Sequence, residues 1–307
     1  MENIEANFLS RNCPSCGKHS LTEQAIFSCP KGESLNFAEI KSYWSGFFKE
    51  KVFFTYRRCD CGLLYCPTYF TESQLQQLYK SMADNTAGVE LNALKKTQHG
   101  YFKALKKYSP LTGDYLEFGP DIGLFTDYGL KEGQLNRFWL CEPNKDVWPV
   151  LEAKVQGHPY HLMQDMQELK QVENHSISVA VFIHVLDHIL DPCAVLKAVH
   201  QKLTPGAILL IVTHDESSLL AKVTKSKWPP YCLQHPQLFN QESTQQLLQQ
   251  AGFAVLHSEK SYNYFPIMYL LQHALFVIGI KNAKLPRLEK FQVGLKLGNI
   301  LTVAKAI

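Results

Sequence analysis

Four cysteines near the N-terminus have the types and spacing to hold a metal ion. Cys13-Pro-Ser-Cys16-Gly17 is a knuckle in which two thiolates can grip one zinc, with glycine relieving the turn beneath it. A second pair, Cys59-Asp-Cys61-Gly62, follows at CxC rather than CxxC spacing, and Cys66 and Cys29 are alternative ligands. Four thiolates leave no open coordination position, so the predicted zinc is structural. The chain has nine cysteines; an odd count in such a pattern favours metal or reduced thiols over a disulfide framework.

A second chemistry is written in Asp114–Phe125, DYLEFGPDIGLF. Leu116 and Phe118 flank Glu117 as in a strand, Gly119 and Gly123 bracket a turn, and Leu124 and Phe125 begin a helical pattern. Strand, glycine turn and helix form the opening of a nucleotide-binding unit, where backbone approaches ligand and the helix N-terminus offers free N–H groups. About twenty residues further on, the apolar run Phe138–Cys141 ends in Glu142, placed to accept from ribose hydroxyls. Past a third short strand, around residues 161–163, Asp165 and the Met166 N–H are positioned to contact a base, although an Asp at a helix start reads nearly as well.

These groups need a scaffold, and the pattern supplies one. Thr71–Gln74 is a capping box followed by apolar residues at helical spacing, and a second helical stretch runs to about Tyr108. Ile177–Ile183 reads as a buried parallel strand ending in His184-Val-Leu-Asp187-His188. Asp191-Pro192 then caps a helix, and Ile208–Thr213 is the next core strand. At least four strand–helix alternations predict an α/β fold with a doubly wound, mostly parallel sheet.

Of the 307 residues, 46% are apolar and 19% charged, an ordinary globular balance. A net charge of +3 with no basic block argues against bulk nucleic-acid binding. The N-terminus shows no basic-then-apolar signal pattern, and the most apolar window, Tyr264–Ile280, is short for a bilayer span and carries Gln272 and His273. The expected setting is cytoplasmic, with no membrane span.

In order and spacing, EFGPDIG, Glu142, Asp165 and VLDHILDP followed by LTPGAILLIV resemble the class I S-adenosylmethionine-dependent methyltransferases. The likeness covers roughly residues 70–261 and, with the strand Leu301–Lys305, most of the chain. The cysteine pairs ahead of it resemble a zinc-binding subgroup whose members often methylate sugars or other small molecules. The resemblance implies a Rossmann-like seven-stranded sheet preceded by a zinc-ribbon-like module. It divides the chain into a zinc module (1–70), a helical linker (71–112), a cofactor-binding core (113–261), and a lid helix with the final strand (262–307). The implied cofactor is S-adenosylmethionine, contacted by Glu117, Gly119, Asp121 and Gly123 in the first motif. Glu142, Asp165, Met166 and His184 complete that set. One departure stands out: Asp121 occupies the place of the family's middle glycine, where a side chain crowds the methionine end of the cofactor.

A hydroxyl acceptor also needs a general base. His235 is the preferred candidate, with His214 and Tyr231 behind it; His188 reads more strongly as a packing or capping residue within VLDHILDP. The apolar stripe Met268, Leu271, Ala274, Leu275 and Ile278 is read as a lid helix or as a core or dimer face, leaving oligomeric state open. Base methylation is disfavoured by the near-neutral charge and the lack of an Asn-Pro-Pro-Tyr-type motif. An alternative to the small-molecule enzyme is a non-catalytic scaffold whose zinc module binds a protein partner, a reading that Asp121 favours.

Overall fold

The computed structural model describes residues 8–19, 21–44, 51–80, 90–268, 270–271 and 291–307. The chain opens with β1 (Leu9–Ser10), β2 (Leu21–Ile26), α1 (Phe37–Lys41), β3 (Tyr56–Cys59), β4 (Leu64–Tyr65), β5 (Thr68–Tyr69) and α2 (Glu72–Lys80). Then come α3 (Leu91–Lys106), β6 (Thr112–Phe118), α4 (Leu124–Glu132), β7 (Gln134–Cys141), α5 (Trp148–Val155) and β8 (Tyr160–Met163). The second half holds β9 (Ile177–Ile183), α6 (Pro192–Lys202), β10 (Leu203–His214), α7 (Leu219–Thr224), β11 (Gln237–Leu238) and α8 (Gln241–Gln250). It closes with β12 (Phe253–Lys260), β13 (Asn263–Pro266), β14 (Gln292–Leu295) and β15 (Asn299–Ala306).

Seven strands form the central sheet in the order β12-β15-β10-β9-β6-β7-β8. Only β15 runs against its neighbours, so the sheet is mostly parallel, as the strand–helix alternation predicts. The strands are apolar on both faces because helices cover both. Along β10, Leu209 and Ile211 pack on one face with α6 and α8, while Leu210 and Val212 pack on the other with α3, α4 and α5. The caps match the sequence. Thr71 and Gln74 exchange bonds at the start of α2, Asp191 caps α6 with Pro192 behind it, and Asn240 and Ser243 form a capping box on α8.

The N-terminal elements build a four-stranded sheet in the order β11-β4-β3-β2, whose outer strand comes from residues 237 and 238. Phe53, Phe54, Tyr56, Tyr69 and Phe70 are buried there with Trp228, Tyr231, Leu233 and Leu238. Trp228 is therefore a core residue. Pro266 ends β13, and the lid positions Ala274, Leu275 and Ile278 lie outside the described residues. Among the described residues no helix is long and apolar enough to cross a membrane.

Candidate active site and cysteine cluster

At the end of β6 the chain turns sharply, with left-handed backbone at Gly119 (φ 66°), Asp121 (φ 50°) and Gly123 (φ 69°). Gly119 is required twice over, since a Cβ there would lie 2.7 Å from Val185 Cγ2. Asp121 takes a left-handed backbone, a region that glycine enters at less cost. Its N–H donates to Glu142 Oε2 at 3.0 Å, while the Asn144 N–H donates to Oε1 at 2.8 Å. Glu142 thus stands buried at the end of β7 with both oxygens fixed and a second lone pair left on each. Burial pushes its carboxyl up, against the two main-chain donors. Glu117, only 2% exposed, accepts from Tyr115 Oη at 2.8 Å and Thr126 Oγ1 at 2.6 Å. Burial carries it up to about 7, with Glu142 adding to the shift and those two donors opposing it. Asp165 is exposed and caps the next turn through a 2.8 Å bond from the Gln167 N–H, with half-buried Met166 beside it.

Across the sheet, the carboxyl ends of β9 and β10 and the segment before β11 bring four imidazoles around one carboxylate. Asp187 is 0% exposed, and its Oδ2 accepts from the His214 main-chain N–H at 3.2 Å and lies 3.0 Å from His214 Nδ1. His184, with left-handed backbone (φ 54°), stacks at 4.6 Å from His214, and His235 lies 4.9 Å from the same ring. The His188 ring meets His235 at 4.6 Å. Burial pushes His184 and His188 down to about 3 and His214 down as well, while it pushes Asp187 up. The His214–Asp187 pair is therefore held toward its uncharged forms. His214 nevertheless keeps 21% of its side chain exposed.

His235 differs from its neighbours. Its Nδ1 lies 2.7 Å from the Pro230 carbonyl and 3.4 Å from Cys232 Sγ. Burial pushes this ring down, but Cys232, Asp187 and the Pro230 carbonyl outweigh it and bring it up to about 9. Tyr231 is buried among Phe53, Tyr56 and Trp228, and burial drives its phenol up. It also lines a cavity of about 590 Å³ between β2 and α7, where Arg58 holds Glu216 through two bonds of 2.9 and 2.8 Å. Sequence reading singles out His214 and His235 but not Asp187 as their partner; its signal is HVLDH directly after a buried strand.

The cysteines gather as two matching knuckles. The Gly17 N–H donates to the Cys13 carbonyl at 2.8 Å, and the Gly62 N–H to the Cys59 carbonyl at 2.9 Å. Across the knuckles, Cys13 and Cys61 sulfurs are 3.5 Å apart, as are those of Cys16 and Cys59, and all four lie within 4.8 Å of one another. A tetrahedral zinc with 2.3 Å bonds needs sulfurs about 3.8 Å apart, so the set fits. Cys66, whose thiol donates to the Phe54 carbonyl, and exposed Cys29 stand outside it.

The chain matches the family profile described as a methyltransferase domain over residues 93–258, more than half its length. Among solved structures, an S-adenosylmethionine-dependent methyltransferase from Mesorhizobium loti is 17% identical, covering 66% of this chain and 96% of that one, with TM-score 0.45. One from Archaeoglobus fulgidus is 15% identical over 70% and 100%, with TM-score 0.47. A chain in the complex of the Haloferax volcanii Trm112 methyltransferase activator with a methyltransferase is 13% identical over 74% and 99%, with TM-score 0.50. No curated protein matches this chain.

Proposed function

Since the chain belongs to the methyltransferase-domain family, we propose that it moves the methyl group of S-adenosylmethionine to a hydroxyl-bearing small molecule, such as a sugar. On the donor side, Glu142 receives the ribose hydroxyls, the turn through Gly119, Asp121 and Gly123 cradles the methionine end, and Asp165 with the Met166 N–H meets the adenine. The four cysteines hold a structural zinc, which fixes the two knuckles and takes no part in methyl transfer.

The observation that carries the acceptor side is the His214–Asp187 contact of 3.0 Å at the carboxyl ends of β9 and β10, where open α/β sheets receive ligands. Methyl transfer is an in-line displacement at the sulfonium methyl, so the acceptor oxygen must be held about 3 Å away and kept from water. Of the three candidates named from sequence, His214 is the one we assign to the acceptor's hydroxyl, oriented by Asp187. His235, pushed up to about 9, already holds a proton at neutral pH, and burial against Phe53, Tyr56 and Trp228 drives the Tyr231 phenol up. Neither suits a base.

Calorimetric titration with S-adenosylhomocysteine tests the donor half. The zinc-replete protein should bind on the order of micromolar, and Glu142→Ala should bind roughly 10–100-fold more weakly, the loss of hydrogen bonds to a charged group. No binding by the unaltered protein would overturn the reading. Unchanged binding by Glu142→Ala would remove the ribose assignment.

A further inference from the structure

The histidine cluster contains more than a base requires. Asp187 is completely buried, its Oδ2 is engaged by His214, and its Oδ1 has no hydrogen-bond partner. His184 Nδ1 is likewise buried without a partner. An orphaned carboxylate oxygen and an orphaned ring nitrogen in one buried cluster are costly, and native proteins rarely leave them so. Among the described residues no lysine or arginine pairs with Asp187; its one ion-pair partner is His214. His188, next to Asp187 in the chain, and His235, from the segment before β11, also face the group; His235 carries a proton held in part by Asp187, and neither ring brings a further carboxylate.

We propose that His184, Asp187 and His214 are a second metal site, distinct from the cysteine cluster, for a divalent transition ion of the zinc class. One ligand atom from each residue lies within 4.8 Å of the others, and the His214–Asp187 pair is already at 3.0 Å. Nitrogen and oxygen ligands at about 2.0–2.2 Å from such an ion sit roughly 3–3.5 Å from one another, so loading needs only a small contraction. Two imidazoles and one carboxylate suit zinc, iron or manganese better than magnesium or calcium, which prefer oxygen ligands. His184 Nε2 lies 3.1 Å from the Asn299 amide. With the ring proton on Nε2 and the amide turned to offer its oxygen, that contact orients the ring and frees Nδ1 for the ion.

Three protein ligands leave a coordination position open, unlike the closed four-thiolate cluster. The partly exposed His214 marks the side from which a further ligand arrives. With the ion bound, His214 would meet the acceptor's hydroxyl as a ligand of that ion and not as a free base; that assignment rests on the transferase reading, and the binding of the ion does not.

The test loads the full-length, metal-stripped protein with zinc chloride and, separately, with cobalt(II) chloride, and counts ions per chain by plasma mass spectrometry. The unaltered protein should retain one ion per chain more than His184→Gln and one more than His214→Gln. A Cys13→Ser/Cys59→Ser variant should lose the other ion. In the cobalt form, thiolate-to-cobalt charge-transfer absorption should survive both histidine substitutions, while the weaker bands lost with them should lack it. Equal metal content in the unaltered protein and both histidine variants, with all cobalt absorption of the thiolate type, would overturn the proposal. Thermal melts by circular dichroism show that each variant is folded. If the unaltered protein fails to bind S-adenosylhomocysteine, the transferase reading fails while the metal count still decides this one.

Discussion

At the scale of single residues, Asp121 is where the chain departs from a glycine turn, and its backbone shows what the departure entails. A non-glycine residue at φ 50° is strained by about 1 kcal/mol, partly offset because glycine loses more freedom on folding. Asp121→Gly should therefore stabilise the fold only slightly, by about 0.5 kcal/mol. Its larger effect should be on the cofactor: with the methionine end placed as proposed, removing this carboxylate should tighten S-adenosylhomocysteine about fivefold by calorimetry. Weaker binding would instead mean that Asp121 bonds the cofactor's ammonium group. Glu117 gives a prediction in pH. Its carboxyl titrates near 7 in the fold against an ordinary 4.5, so between those values the folded chain keeps a proton that the unfolded chain has released. Stability must then fall as pH rises through that window and level off above it. The buried carboxyl accounts for ~3 kcal/mol across the window. Denaturant melts at pH 5 and pH 8 should show Glu117→Gln losing less stability between the two than the unaltered protein does. Parallel losses would refute this.

At the scale of elements, the cysteine knuckles act through what their sheet holds. Tyr56 in β3 donates from Oη to the His235 carbonyl at 2.6 Å and lies 3.2 Å from that of Cys232, and Tyr69 in β5 donates to the Leu233 carbonyl. Beside them, β4 pairs with β11. The segment 232–238, which carries His235, is thereby held to the module on one side, as Gln237 holds it to the loop after β9 on the other. Structural zinc binding couples to folding, so chelation or Cys59→Ser should loosen that segment first. Methyl transfer should fall at least tenfold while S-adenosylhomocysteine affinity stays within about twofold; simultaneous loss of both would show that the module supports the whole sheet. This coupling is also what the sequence does not announce. The glycine turn, Glu142 and each cysteine pair are contiguous or nearly so, and their spacing is itself the signal. Asp187 meets His214 from 27 residues away. Likewise, a two-residue strand such as β11 has no period to read; only its apolar partners across the chain define it.

At the scale of the whole molecule, one side chain shows how the module and the core become a unit. Arg11, only 7% exposed, donates from Nη2 to the Leu190 carbonyl at 2.6 Å and to Gln237 Oε1 at 3.1 Å, and from Nη1 to the Pro236 carbonyl at 3.3 Å. Gln237 passes the connection on, donating from Nε2 to the carbonyls of Leu186 at 2.8 Å and Ile189 at 2.7 Å. Three segments far apart in the chain, the strand before the first knuckle, the loop after β9 and β11, thus share one buried polar network. Both histidine-bearing stretches, 184–188 and 235, hang from it. A guanidinium suits this position because its planar donors can serve several acceptors at once, which an ammonium on a flexible stem does less well. Cutting Arg11 back to alanine would leave buried carbonyls without donors, each worth about 1–3 kcal/mol, and the loss should fall on the joint more than on either part. We therefore expect the unaltered protein to melt in one transition, and Arg11→Ala to melt in two, the module opening before the seven-stranded sheet. Hydrogen exchange should show early loss of protection at residues 56–69 and 186–190, with β6 and β7 still protected. Arg11→Lys should recover the joint only in part. A single transition merely shifted to lower temperature would mean that the aromatic packing around Trp228 and Tyr231, and not the polar network, makes module and core one cooperative body.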